Sequence, residues 1–197
     1  MELQRDLGQA RGYLIGFYLH QRRDQEALQQ ARDALALLPH DPWALNAAGI
    51  AALTTGDLPR AEQLFEQVYP VYRGTRGYRD SGPGVETHLA YLRLRAGRRD
   101  KAGALLEESL ATDRRAAREG NQDWTVQYDT ACVHALRGEK DEAFSWLDKA
   151  VEGGWRGWPL GTRSPLLDSL RSDSRFQKLE THLETLVSQM RRRAGLR

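Results

Sequence analysis

Gly56-Asp57-Leu58-Pro59-Arg60-Ala61, Gly97-Arg98-Arg99-Asp100-Lys101-Ala102 and Gly138-Glu139-Lys140-Asp141-Glu142-Ala143 share one plan. Each is a glycine, a polar turn, and an alanine that opens an apolar stripe. A fourth stretch, Arg22-Arg23-Asp24-Gln25-Glu26-Ala27, follows the plan without its glycine. The alanines stand 34, 41 and 41 residues apart. Self-similarity at such a spacing marks a stacked repeat. With the alanine as position 20 of a 34-residue unit, the units run 8–41, 42–75, 83–116 and 124–157. Seven extra residues separate the second unit from the third, and seven more the third from the fourth. Residues 158–197 follow the array.

Each unit reads as two short helices. In the second, Leu45, Ala48, Gly49 and Ala52 share one helical face, and Gly56-Asp57 ends it. Ala61, Leu64, Phe65 and Val68 then resume at i, i+3, i+4, i+7 spacing. Glycine between the helices supplies a positive-φ cap. One such pair cannot bury its own stripe, so the pairs must stack.

These positions resemble the tetratricopeptide repeat family. Position 8 is small in three units (Gly49, Ala90, Ala131) and Ile15 in the first. Position 15 is Gly56, Gly97 and Gly138, with Arg22 in the first. Position 24 holds Ala31, Phe65, Leu106 and Leu147, and position 27 holds Ala34, Val68, Ser109 and Ala150. The resemblance implies an all-α fold: a right-handed α-α superhelix of four helix pairs with C-terminal capping helices, forming one domain over 1–197. It also implies a concave groove lined by the first helix of each unit.

The tail carries a narrower resemblance. Tyr128 to Gly138, Glu142 to Ala150, Gly154-Trp155-Arg156 and Leu170 to Phe176 resemble the end-of-group tetratricopeptide segment of bacterial signalling proteins. Such proteins often carry an upstream winged-helix, nucleotide cyclase or Ser/Thr kinase domain. After the Gly153 to Pro159 break, the pattern predicts a short helix near Pro165 to Leu170. A final helix follows, capped by Ser172, Asp173 or Ser174. Phe176, Leu179, Leu183, Leu186 and Met190 form its stripe, a capping face or a homodimer seam.

Composition narrows the function. The 197 residues are 40% hydrophobic and 28% charged with a formal net charge of +2, which suits a folded domain rather than a disordered chain. The longest uncharged run, Pro42 to Gly56, is too short and too polar to span a bilayer. One cysteine excludes a disulfide scaffold within the chain. Met1 to Asp6 lacks a secretion-signal pattern, so a cytoplasmic setting is expected. Basic residues are 25 Arg against 4 Lys, yet the net charge is far from a nucleic-acid binder's.

No catalytic pattern emerges. His20, His40, His88, His134 and His182 are scattered, without metal-ligand spacing. Cys132 and His134 point apart on a helix. Neither a metal nor another cofactor is expected, and the chain reads as no enzyme. Tyr69, Tyr72 and Tyr78 interleave with Arg73, Arg76 and Arg79, a combination that can stack bases and grip phosphates. The competing reading packs these tyrosines on the next unit, and it is preferred.

The groove positions implied by the resemblance fall on Trp43, Asn46, Ile50, Thr87, Tyr91, Arg95 and Tyr128. They form a mixed aromatic and apolar surface suited to a peptide with apolar anchors. Only Asn46 and Arg95 could donate to a terminal carboxylate. The expected function is a protein-protein interaction module with a protein or peptide partner and no membrane. The alternative is a regulatory or dimerising module of a bacterial regulator, cyclase or kinase, and nucleic-acid binding through 69–79 ranks third.

Overall fold

The computed structural model describes residues 2–75, 82–121, 123–157 and 160–195, with side chains from Leu7 onward. Among these residues the chain is all-helical. Eight helices follow as four pairs: α1 (Glu2–His20) with α2 (Asp24–Leu37), α3 (Pro42–Thr54) with α4 (Leu58–Tyr72), α5 (Val85–Arg95) with α6 (Arg99–Arg118), and α7 (Trp124–Arg137) with α8 (Lys140–Glu152). Two 3₁₀ turns, Gly161–Arg163 and Pro165–Leu170, lead to α9 (Ser174–Arg193). Each pair packs internally, and successive pairs meet through α1/α3, α2/α3, α4/α5, α5/α7 and α6/α7.

The helix boundaries follow from the turn residues. Asp41, Asp57, Asp123 and Asp173 cap α3, α4, α7 and α9 through side-chain bonds to backbone N–H groups. Gly56, Gly97 and Gly138 take φ of +87°, +73° and +79° between the paired helices. In the first unit Arg22 takes that place at φ +59°, a conformation a side chain enters at some cost. The small residue at position 8 is a packing requirement. A Cβ on Gly49 would stand 2.8 Å from the Phe65 ring.

α1 begins six residues ahead of the first unit, and α6 runs through Arg118, absorbing the start of the second insertion. The first insertion lies largely outside the described residues. Arginines stitch neighbouring pairs. Arg93 bridges Glu62 and Glu66, Arg98 reaches Glu62 at 2.6 Å, and Arg137 reaches Glu107 at 2.6 Å. Part of the arginine excess is therefore paired with acids across the stack.

A polar knot ties the third pair to the fourth. The buried Asp129 carboxylate accepts from the Thr87 hydroxyl at 2.6 Å, the Gly84 N–H at 3.0 Å and the Ser109 hydroxyl at 3.2 Å. Three donors compensate a charge that would otherwise be costly to bury.

The tail does not merely follow the array. Trp155, Leu160, Leu166, Leu167 and Leu170 are buried, and they join the core shared by the repeat helices. On α9, Phe176, Leu179 and Leu183 are buried, Leu186 packs on the same core, and Met190 is 54% exposed. Most of the apolar stripe of α9 is thus used within the chain.

Candidate functional site

The residues that the resemblance places in a groove, on the first helices of the pairs, meet different fates. Tyr128 is buried under Trp155, their rings stacked with centroids 4.5 Å apart. Burial pushes the Tyr128 hydroxyl well above the usual phenol range, and Cys132 and Ser164 are its hydrogen-bonding neighbours. Tyr91 is buried beside Arg95 and the tail's Asp168; burial raises its ionisation, with Arg95 and Asp168 acting in opposite directions. Thr87 belongs to the Asp129 knot. Ile50 is buried in the core. Asn46 is buried with its Oδ1 unpaired among the described residues, and it borders a cavity of about 20 Å³ shared with Glu86 and Asp129. That space suits a single water. Trp43 is half-buried and Arg95 exposed.

The cause of this burial is the tail itself. Residues 155–157 and 160–170 form a strap that reaches from α7 to the first pair. Ser169 donates to the Ala135 carbonyl at 2.8 Å on α7. Arg163 donates to the Leu19 carbonyl at 2.9 Å, and its guanidinium reaches both Asp24 oxygens at 2.8 and 3.0 Å. The strap therefore runs from the last pair to the first. Each buried large apolar side chain is worth about 1.5–3 kcal/mol, so the five in the strap contribute on the order of 10 kcal/mol. A whole domain has a stability of about 5–15 kcal/mol. No incoming peptide displaces such a strap cheaply.

The strap was not legible in the repeat pattern, though a signal existed. Leu166, Leu167 and Leu170 are apolar residues outside any repeat position, and they need a surface to cover. The spacing predicted their short helix and did not say where it docks.

The Tyr/Arg stretch divides similarly. The Tyr69 hydroxyl donates to Glu108 at 2.8 Å, Arg73 pairs with Glu108 at 2.7 Å, and the Arg73 guanidinium lies over the Tyr69 ring. Tyr72 is buried. This half of the stretch fastens α4 to α6. Arg76, Tyr78 and Arg79 lie outside the described residues. Cys132 is fully buried, and burial, aided by Asp129, raises its thiol well above the usual range. A thiol so placed is inert.

What stays accessible is an apolar patch on α1. Leu7, Tyr13, Leu14 and Phe17 are 36–42% exposed. Among the described residues the other exposed large apolar side chains, Leu37, Val71 and Met190, sit singly on α2, α4 and α9. Tyr13 packs against Trp43, ring centroids 6.0 Å apart, so the patch continues into the one aromatic groove position not fully buried. Sequence reading missed this patch, because the first unit departs from the repeat pattern at positions 8 and 15.

No helix among the described residues is long and apolar enough to cross a membrane. No known family model matches the chain. No curated protein matches it. Among solved structures, a mutant of the protein MamA is similar over 73% of this chain and 75% of its own, at 17% identity and a TM-score of 0.44.

Proposed function

We propose that the chain is a non-catalytic protein-protein interaction module: a single tetratricopeptide-type α-α superhelix over residues 1–197 that holds a protein or peptide partner. The observation that carries this reading is the apolar patch of α1 and its continuity with Trp43. The end of a stacked array needs a polar outer face or a covering partner. Clustered exposed apolar groups mark such contacts, whereas scattered ones do not.

The contact surface is then the open end of the inner face. Trp43 and Arg95 are the expected groove residues a partner could touch. Asn46, Ile50, Thr87, Tyr91 and Tyr128 would shape that surface from beneath. Affinity capture from the native lysate, with wild type and a Phe17→Glu/Trp43→Ala variant, tests the reading. The wild type should recover a partner that the variant loses. Recovery of the same proteins in equal yield by both would sink it.

The regulatory or dimerising alternative remains a second reading, through the resemblance of the tail. The burial of Phe176, Leu179 and Leu183 leaves a seam on α9 little more than Met190 to offer. Sedimentation at two concentrations separates the two, since a strictly monomeric particle removes the dimer.

A further inference from the structure

On the side away from the strap, α6 and α8 stand apart over α7 and leave a cleft of about 400 Å³. That volume lies in the range of small-ligand sites. One face of α6 lines it with Leu110, Asp113, Arg114 and Ala117, at i, i+3, i+4, i+7 spacing. Opposite stand Val126, Gln127 and Thr130 of α7, and Trp146 and Lys149 of α8. None of these residues belongs to the inner face or to the α1 patch.

The cleft is graded in chemistry. Its floor is apolar apart from one acid: Leu110 and Val126 are buried, and the buried Asp113 carboxylate accepts from Thr130 at 2.9 Å. Its wall is the half-buried Trp146 indole, with the Lys149 ammonium 3.9 Å from the ring centre. Arg114 and Lys149 are exposed cations at the mouth, and neither is in an ion pair among the described residues.

An occupant that satisfies floor, wall and mouth has an apolar body and an anionic group. We propose that this cleft binds a small amphipathic carboxylate: one apolar residue with a free carboxylate. The side chain lies against Leu110, Val126 and Trp146. The carboxylate meets Arg114 and Lys149. The Asp113 charge on the floor disfavours the reverse orientation, with the carboxylate inward. Two sources share this chemistry, a free N-acylated amino acid and the C-terminus of a partner chain.

Calorimetric titration of the full chain tests it with four probes: N-acetyl-leucine, its amide, acetyl-Ser-Gly-Ser-Leu with a free carboxylate, and the same peptide amidated. At least one free acid should bind saturably and at least tenfold more tightly than its amide. Arg114→Ala and Lys149→Ala should each weaken that binding about fivefold or more, and Arg118→Ala, on the same helix, should not. Affinity should fall as salt rises, because the contact at the mouth is exposed. Binding by both acids assigns the free amino acid as a sufficient ligand, and binding by the peptide alone assigns a chain terminus. Absence of saturable binding by either acid, equal binding of acid and amide, or binding indifferent to Arg114→Ala overturns the proposal. The α1 patch plays no part in this measurement, so its outcome is independent of the partner-capture result.

Discussion

Trp155 lies stacked on Tyr128 with ring centroids 4.5 Å apart, and neither residue has appreciable solvent contact. Tyr128 stands at a position that the resemblance to tetratricopeptide repeats assigns to partner binding, and Trp155 is the first residue of the strap that covers it. This side of α7 is therefore part of the hydrophobic core.

Trp155→Ala should lower stability by about 3–5 kcal/mol, the usual cost of removing a large buried aromatic. Thermal unfolding followed by circular dichroism checks this. For a chain of this size each kcal/mol moves Tm by roughly 2–4 °C, so a drop below about 5 °C would mean that the stack contributes little.

The far end of the strap should be held less firmly. The Arg163 and Asp24 side chains are 22% and 34% exposed, so their pair is partly screened. Arg163→Ala also gives up the bond to the Leu19 carbonyl. The expected loss is about 1–2 kcal/mol, part of it removed by salt. A loss equal to that of Trp155→Ala would place the main anchor at the wrong end of the strap.

Much of the array was legible from residues alone. Gly56, Gly97 and Gly138 mark the turns of the last three pairs, and Ala61, Ala102 and Ala143 mark buried helix starts, because close crossing admits only small side chains there. The first unit lacks the glycine at its turn, yet α1 and α2 form the same hairpin, with Arg22 in the glycine conformation. Packing against α3 overrides the local preference. The site was read less well. Positions 5 and 9 of the last three units are buried, but periodicity within a helix carries no information about a segment that docks on it from 27 residues away, as Trp155 does on Tyr128.

Asp129→Ala should cost about 3 kcal/mol or more, since it leaves the Gly84 N–H and the Thr87 and Ser109 hydroxyls without their shared acceptor. Asp129→Asn should be milder, because one acceptor oxygen survives. Urea unfolding of the two variants gives the comparison, and equal losses would show that the charge, not the acceptor count, matters.

Glu86 sets a pH dependence. Burial, reinforced by Asp129 and Glu108, raises its carboxyl above the usual value, although the Gly74 N–H acts the other way. A carboxyl raised on folding favours the folded state below its unfolded pKa, about 4.5, and that contribution is lost as pH rises through the folded value. Glu86→Gln removes the charge and keeps an acceptor for Gly74. Its Tm relative to wild type should be more favourable at pH 8 than at pH 4.5. A difference that does not change with pH would show that Glu86 is ionised at no cost.

Hydrogen exchange of the full chain, read by mass spectrometry, bears on the filled inner face most directly. Peptides covering 160–171 should be protected nearly as strongly as those covering 126–137 of α7, because strap and helix share one core and open together. Exchange of 160–171 within seconds, while α7 stays protected, would show that the strap lifts freely and that the groove is open to partners.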